Sequence, residues 1–312
     1  MNDDRMLEIL HKLSIECGFI TAGIANPSRF ISSNLAWAKA AISLALKYPH
    51  DHFDQSKPIC TGSVASFAVG PDYHIVVSER LHQFAESLSL HFPGRYSIHV
   101  DDPLISERAL ALHAGIGWIG CNKCLFVPGH GSFVLLGEIL TDVEYPLHSA
   151  IQDCQCGSCT MCIDACPSGA LSRDHIFNRE RCISQLTQSR GIISNEFMPL
   201  IGNHIYGCDI CQSVCPYNQH NMSINREIDS MCYPGPHPNL CDVIQLSPTE
   251  WTQKVRNSSV GWIGRTAWRR NAIIATANAN LIDARELLLQ MTTDKSPIIA
   301  STALRAIAQL FY

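Results

Sequence analysis

A run of closely spaced cysteines, "CGSCTMCIDACP", limits the possible folds of this chain more than any other feature. Its spacing, C-x2-C-x2-C-x3-C-P, is typical of 4Fe-4S binding, and its fourth cysteine binds a different cluster from the first three. A second cysteine group is therefore required, and "RCISQL" together with "CDICQSVCP" supplies it. We predict two 4Fe-4S clusters with these ligands: Cys156, Cys159, Cys162 and Cys215 for the first, and Cys166, Cys182, Cys208 and Cys211 for the second.

The cysteine spacing leaves two other interpretations open, structural zinc and buried thiols that bind no metal. Structural zinc would use two C-x2-C pairs and would not require the x3-C-P ending, which occurs twice in this sequence. A further C-x2-C pair, Cys121 and Cys124, has no matching pair, so we interpret both as thiols without a ligand role. No role is predicted for the remaining cysteines, which are Cys17, Cys60, Cys154, Cys232 and Cys241.

Composition indicates the cellular setting. The chain has fifteen cysteines and an acidic, amphipathic start that differs from a signal peptide. Because cytosolic thiols are kept reduced, this combination favours metal binding over disulfides. No apolar run reaches the roughly 18 residues that a membrane-spanning helix needs. We therefore predict a cytoplasmic protein that contacts no membrane, and its net charge of -5 provides no general attraction to nucleic acid.

Helices and buried strands alternate along the first half of the chain. The apolar runs "FITAGIA", "AKAAISLALKY" and "SFVLLGEILTD" have strand length, "YSIHVD" is predicted as a strand ending on Asp101, and "NLAWAKA" as a helix. We predict an α/β (α+β) domain with a covered sheet over residues 1–150. A ferredoxin-like double 4Fe-4S domain is predicted over 151–243, and a short α-helical, HEAT-like tail over 244–312. The first domain has neither a dinucleotide-binding G-x-G-x-x-G nor a P-loop.

Several further blocks carry a resemblance to a known family. They are "DYH", "VDDPLISERALA", "GIGWIG", "GSFVLLGEILTD", "RCISQLT", "PLIGNHIYGCDICQSVCPYN" and "RRNAIIATANA", and together they cover most of residues 15–310. In their order and near-family spacing they are similar to the epoxyqueuosine reductases, cobalamin-dependent iron-sulfur oxidoreductases that finish the queuosine base in tRNA. The resemblance implies a base-off cobalamin over the α/β domain and one 4Fe-4S cluster close to its cobalt. It also implies reduction of an epoxycyclopentane to a cyclopentene on tRNA.

The resemblance implies that Asp101 is the catalytic proton donor and also borders the cobalamin. Reduction at an epoxide carbon leaves an alkoxide, which needs a proton in the same step. Donation requires a raised pKa, and a partly buried strand end beside an apolar corrin would raise the pKa of Asp101. The alternative is that Asp101 or Asp102 caps the following helix, and Asp102 fits that cap better.

Other cofactor and substrate contacts are also implied by the resemblance. The remaining residues expected to bind cobalamin are Tyr73, His74, Trp118, Ile119, Gly131 and Ser132. A structural role for the Tyr-His pair, and turn formation by glycines such as Gly117 and Gly120, are the alternatives. The expected partners of a monomeric chain are the epoxyqueuosine-containing anticodon loop of tRNA and an external low-potential electron donor. The expected tRNA contacts are a basic and aromatic group, for which a solvated helix face is the alternative: Arg265, Trp268, Arg269 and Arg270.

The sequence also departs from the family pattern. The segment "NPSRFISSNLAWAKAAISLAL" is too short to contain a G-E-M stretch that the family normally carries there. Ser66, Phe67 and Pro71 replace polar or charged residues, and Cys121 replaces a lysine, so we expect altered pocket walls. Two alternatives follow. One is a related corrinoid and iron-sulfur reductase, similar to reductive dehalogenases, that acts on another small electrophile. The other is an electron-transfer iron-sulfur protein without a corrinoid.

Overall fold

The computed structural model describes residues 3–50, 60–147, 151–174, 176–219 and 234–311, so Cys232 lies outside the described residues. The chain divides into two units, each assembled from segments that are distant in sequence. The first unit contains Met1–Tyr48, Tyr73–Cys159 and Cys215–Ser223, and the second contains Pro49–Asp72, Thr160–Val214 and Ile224–Tyr312. The boundaries of these units differ from those of the three consecutive domains predicted from the sequence, and that three-domain division stays a prediction.

The regular elements are numbered in chain order. The strands are β1 (Thr21–Ala25), β2 (Ala40–Lys47), β3 (Ser63–Val64), β4 (Tyr96–His99), β5 (Trp118–Ile119), β6 (Leu125–Phe126), β7 (Val134–Thr141) and β8 (His204–Tyr206). The α-helices are α1 (Asp3–Glu16), α2 (Tyr73–His91), α3 (Glu107–His113), α4 (Met161–Asp164), α5 (Ile183–Gln188), α6 (Ile210–Ser213), α7 (Pro216–Gln219), α8 (Leu240–Gln245), α9 (Pro248–Glu250), α10 (Gly264–Asn278), α11 (Arg285–Met291) and α12 (Pro297–Phe311).

A four-stranded sheet in the order β1-β2-β7-β4 forms the centre of the first unit. Alternate residues of β2 face opposite sides: Ile42 and Leu44 pack in a core with α1 and α2, whereas Ala41 and Ala45 pack in a core with α3. Both faces are therefore covered, as the continuous apolar strands predict. All three strand pairs are antiparallel, so of the two named classes this unit belongs to α+β.

Two local predictions in this unit are wrong. The segment "NLAWAKA" forms only a 3-10 turn at Ser33–Leu35 before β2 begins, so its helical spacing does not produce a helix. Strand β4 ends at His99, which leaves Asp101 in the loop that precedes α3. Because Asp101 lies outside the strand, its backbone N–H can donate a hydrogen bond to a group outside the sheet.

Helix α10 is the centre of the second unit. It packs against α8 and α12 and contacts β8, and its residues from Ala267 to Ala277 are buried. The predicted tail helices α10, α11 and α12 are all present. Their assignment as HEAT-like stays a prediction.

A buried carboxyl group in the first sheet gives a stability prediction. Glu138 on β7 is fully buried, and its Oε1 accepts a hydrogen bond of 2.8 Å from Ser43 Oγ on β2. Among the described residues its Oε2 has no hydrogen-bond partner. Burial raises the pKa of Glu138 well above its ordinary value, so the folded chain keeps a proton that the unfolded chain loses above about pH 4.3.

The free energy of unfolding should therefore fall as pH rises from about 4.3 toward the raised pKa of Glu138, by up to about 1.4 kcal/mol per pH unit. We expect Glu138→Gln to remove this contribution, because glutamine has no proton to lose. Urea unfolding between pH 5 and 8 measures the slope. Glu86→Gln, on the exposed face of α2, is the matched control and should leave the slope as in the parent chain. An unchanged slope in Glu138→Gln would contradict the assignment.

Candidate active site and iron-sulfur ligands

Three of the predicted site residues meet where the loop after β4 contacts the start of α2. Asp101 has a φ of 49°, a left-handed conformation that few residues other than glycine adopt. Its Oδ2 accepts a hydrogen bond of 3.2 Å from the Tyr73 hydroxyl and lies 3.6 Å from His74 Nε2. Tyr73 and His74 are the first residues of α2, and their rings stack with centroids 4.0 Å apart. The Asp101 side chain is 68% exposed, so its carboxylate is open to a ligand.

The raised pKa expected for Asp101 beside a corrin stays a prediction, since the protein residues alone lower it. The hydrogen bond with His74 lowers the pKa of Asp101, burial raises it, and the Tyr73 hydroxyl lowers it again, with a net shift below the ordinary value. Asp101 is consequently a carboxylate at neutral pH. Sequence alone does not reveal this, because Tyr73 and Asp101 are 28 positions apart.

Neither Asp101 nor Asp102 caps α3, so the helix-cap alternative is also wrong. The residue before the helix is Ser106. Asp102 Oδ1 instead accepts a hydrogen bond of 2.9 Å from Leu104 N, and its Oδ2 lies 2.7 Å from Nδ1 of His99, the last residue of β4. These contacts hold the loop in place beside Asp101.

Glu107, which the sequence analysis missed, lies directly behind Asp101. Its Oε1 accepts a 2.6 Å hydrogen bond from the Asp101 backbone N–H. Burial raises the pKa of Glu107 to about 7, the Asp101 N–H lowers it, and the charges of Asp101 and Asp102 raise it. Near neutral pH, Glu107 is therefore partly protonated, whereas Asp101 is a carboxylate. An acidic residue in the first turn of a helix usually indicates a contact with the helix dipole, which conceals this role in the sequence.

A second part of the site is a cavity of about 430 Å³ in the first unit. Trp118 and Phe126 line it, with rings stacked at 4.5 Å, and Tyr217 meets the Trp118 ring edge-on at 5.2 Å. Of the residues predicted to border cobalamin, Trp118 and Gly131 line this cavity. Its apolar, aromatic walls fit part of a corrinoid ligand.

Ser132 is buried next to this cavity. Its N–H donates to Asn218 Oδ1 at 2.8 Å, and Asn218 Nδ2 donates to its hydroxyl at 3.0 Å. A side chain at Gly131, where φ is 75°, would place its Cβ 2.2 Å from Asn218 Oδ1, so only glycine fits. Asn218 follows the last cluster cysteine in "CPYN", and the sequence analysis assigned it no role of its own.

The second predicted cysteine set is gathered within the second unit. Helices α4 and α6 contact each other, and α6 carries Cys211. Burial, followed by the charges of Cys211 and then Cys166, raises the pKa of Cys182. Burial also raises the pKa of Cys208, with further contributions from the charges of Cys211 and Cys182. Buried thiols this close together need a cation to become thiolates, so this group fits the predicted cluster.

Two members of the first set lie in one small core of the first unit. Cys215 is buried with Trp118 and Phe126, and Cys156 packs against them. Cys159 is exposed two residues before α4, and Cys162 is on that helix.

Two cysteines without a predicted ligand role lie beside Cys156. The sulfur atoms of Cys121, Cys154 and Cys156 are all within 4.8 Å of one another. The Cys121 N–H also donates to Cys156 Sγ at 3.4 Å. Sequence spacing did not indicate this group, because Cys121 is 35 positions from Cys156.

The predicted tRNA contact on α10 is wrong for three of its four residues. Trp268 and Arg270 are fully buried, and Arg269 is only 5% exposed. Arg269 donates to Ile244 O at 2.6 Å and to Asp294 Oδ2 at 2.9 Å, so its charge is neutralised inside the unit. Arg265 is half-buried, and its role in tRNA contact stays a prediction.

Arg270 is satisfied inside the second unit as well. Its guanidinium donates to Asn271 Oδ1 at 2.7 Å and to Leu186 O at 3.3 Å, and burial lowers its pKa to about 10. Guanidinium groups that are held in this way cannot contact phosphates.

Two residues expected to alter the pocket walls have other contacts. The Ser66 N–H donates to Asp209 Oδ2 at 2.6 Å, next to Cys208. Phe67 packs against Tyr206, with ring centroids 5.8 Å apart. Both contacts lie within the second unit, so they do not support a changed pocket wall. Pro71 is exposed.

Comparison with known families gives one match over the cysteine runs and one before them. The family described as "4Fe-4S double cluster binding domain" matches residues 155–218. The family described as "Epoxyqueuosine reductase QueG, DUF1730" matches residues 30–102. Among the described residues, no helix has the length and apolar character needed to span a membrane.

Relatives with similar sequences and structures cover almost the whole chain. An epoxyqueuosine reductase of Bacillus anthracis is 35% identical over 96% of this chain and 80% of its own. A Bacillus subtilis epoxyqueuosine reductase, solved with its aspartate catalytic loop swung out of the active site, has a TM-score of 0.86 at 31% identity. An epoxyqueuosine reductase solved with an epoxyqueuosine-modified tRNA-Tyr stem loop has a TM-score of 0.85 at 30% identity. Both alignments cover 99% of this chain and 91% of the other. With this identity over most of both chains, the chain belongs to the epoxyqueuosine reductase family.

Proposed function

We propose that this chain reduces epoxyqueuosine to queuosine in tRNA. The observation that carries the proposal is the meeting of Tyr73, His74 and Asp101 in the first unit, which leaves one exposed carboxylate in a loop. Family membership supports the same reaction, since a relative of similar fold was solved with an epoxyqueuosine-modified stem loop and another with an aspartate catalytic loop. We place the reaction in the cytoplasm.

The overall chemistry defines what the chain must supply. Converting an epoxide to an alkene breaks both carbon–oxygen bonds, consumes two electrons and two protons, and releases the oxygen as water. Each 4Fe-4S cluster carries one electron at a time, so two clusters suit a two-electron reduction. The proposed ligands are the two sets of four cysteines named above, and an external low-potential donor refills them.

The cavity beside Trp118 supports cobalamin as the second cofactor. Trp118 and Gly131 line it, and Ser132 is held behind it by Asn218. Tyr73, His74 and Asp101 would border the same cofactor from their loop and helix. When bound, cobalamin supplies a reduced cobalt that passes electrons to a substrate carbon. The protein residues orient the substrate and exclude water from the reacting carbon.

Asp101 is the proposed proton donor to the departing oxygen. Its carboxylate accepts a hydrogen bond from the Tyr73 hydroxyl and is otherwise exposed. A ligand that binds at this loop would therefore cover it. Covering a carboxylate with an apolar ligand raises its pKa, because burial disfavours the charged form. The loop therefore gives Asp101 a low pKa in the open site and a higher one once the ligands bind.

Nucleoside analysis tests this function in cells. A host that lacks its own epoxyqueuosine reductase accumulates epoxyqueuosine, and expression of this chain should replace it with queuosine in digested tRNA. The same host with the Asp101→Asn chain is the matched control and should retain epoxyqueuosine. Persistence of epoxyqueuosine with the parent chain would contradict the proposal and favour a related reductase with another small substrate.

A further inference from the structure

We propose that Glu107 is a positioning residue that also returns a proton to Asp101, and so supplies the second proton of the reduction. This inference rests on the proposed function, in which Asp101 protonates the departing oxygen. It gives a role to the Glu107 carboxyl group, which the sequence motifs do not mark as functional.

The geometry of the loop ties Glu107 to Asp101. Glu107 Oε1 accepts the Asp101 backbone N–H at 2.6 Å, and this bond closes a seven-residue loop onto the first turn of α3. Asp101 is in a left-handed conformation, which aspartate adopts more readily than most residues but less readily than glycine. The Glu107 bond therefore holds the Asp101 backbone in this conformation and keeps the Glu107 carboxyl group beside that backbone.

The reduction takes up two protons, one for the oxygen when the first carbon–oxygen bond breaks and one when the oxygen leaves as water. Asp101 takes up one proton from solvent when bound ligands raise its pKa, so it must be recharged between the two bond-breaking events. Glu107 is a neighbouring acid that can do this: it gives its proton to the Asp101 carboxylate and becomes a carboxylate, and solvent reprotonates it afterwards.

Four ionisable groups from three elements face Glu107: Asp101 and Asp102 from the loop, His74 from α2, and Glu138 from β7. Burial and the loop carboxylates raise the pKa of Glu107 to about 7, against the lowering effects of the Asp101 N–H and of His74. Two adjacent carboxyl groups with separated pKa values are the arrangement that acid–base sites use to divide roles.

A purely structural role for Glu107 makes a different prediction. If Glu107 only held the loop, its required property would be an oxygen that accepts the Asp101 N–H. Glutamine offers such an oxygen in nearly the same place but carries no proton that it can donate. Glu107→Gln therefore separates the two roles.

The experiment measures kcat and KM for an epoxyqueuosine-containing stem loop from pH 6 to 9, using anaerobic holoenzyme. We expect Glu107→Gln to lower kcat at least about tenfold, within the range of acid–base catalysis, with KM changed less than about twofold. In the parent chain kcat/KM should decline as pH rises through about 7, the pKa of Glu107 in the free protein, because the proton-bearing form is lost. This decline should be absent in Glu107→Gln, and Glu107→Asp should restore part of both properties.

A second readout does not depend on turnover. Infrared titration of the protein without substrate should show a carboxylic acid signal that disappears near pH 7 in the parent chain and is missing in Glu107→Gln. If Glu107→Gln is too unstable for kinetics, Glu107→Asp replaces it in the titration. Glu107→Asp should keep a carboxylic acid signal but shift the pH at which this signal disappears. Glu79→Gln, on the exposed surface of α2, is the control for both measurements and should match the parent.

A Glu107→Gln chain with parental kcat and pH profile would overturn the inference and leave the proposed function intact. A parent chain that does not convert the stem loop at all would instead reject the proposed function. The two failures are therefore distinguishable in one set of assays.

Discussion

Replacing Asp101 by asparagine should lower kcat for epoxyqueuosine reduction by about 10²- to 10⁴-fold, the usual contribution of a positioned general acid. Asparagine keeps an oxygen that can accept from Tyr73 and His74, so the loop should keep its shape. It has no acidic proton for the departing oxygen. We expect the iron content and the KM for the stem loop to remain close to those of the parent, which places the loss in the chemical step.

Asp102→Asn is the neighbouring control for this prediction. Asp102 accepts from Leu104 N and contacts His99, and asparagine preserves an acceptor for the first of these. Its kcat should fall by less than about tenfold, since Asp102 is not the proposed donor. An Asp101→Asn chain with full turnover and both clusters intact would remove Asp101 from the mechanism.

Replacing Cys211 by alanine should halve the iron content, from about eight to about four atoms per chain, since each cluster contains four. Electrons from an external donor would then no longer pass through both clusters, and turnover should fall at least about 100-fold, a loss of roughly 2.7 kcal/mol in transition-state stabilisation. Anaerobic iron and sulfide analysis with electron paramagnetic resonance measures the clusters, and stem-loop conversion measures turnover.

Cys241→Ala is the matched control for the cluster prediction. Cys241 is a half-buried thiol on α8 of the same unit, outside both proposed ligand sets. It should keep full iron content and turnover. If Cys211→Ala fails to fold, Cys166→Ala removes another ligand of the same set. Full iron content in both ligand variants would contradict the second cluster.

The cysteine ligands could be predicted from sequence because cluster binding depends on short, local spacing. The buried strands could be predicted as well, since β2 and β7 are covered on both faces and consequently read as unbroken apolar runs. The antiparallel direction of the strands could not be predicted, because β2 and β7 pair residues that are far apart in sequence, from Ala40 with Thr141 to Lys47 with Val134.

The arginines of α10 and the site carboxyl groups show what could not be predicted from sequence. Arg269 and Arg270 indicate a solvated surface in the sequence, but carbonyl oxygens and Asp294 from distant segments satisfy them in the interior. The pKa values of Asp101 and Glu107 likewise depend on neighbours that only the fold brings together. Charge in a sequence does not determine exposure, and residue type does not determine protonation.

The decisive measurement is an anaerobic reaction of the purified chain, loaded with iron-sulfur clusters and cobalamin, with an epoxyqueuosine-containing tRNA stem loop and a low-potential reductant. Mass spectrometry of the digested product should show queuosine, lighter than the starting nucleoside by one oxygen atom, with the parent chain and far less with Asp101→Asn. Unchanged epoxyqueuosine with the fully loaded parent chain would contradict the assignment of this reaction.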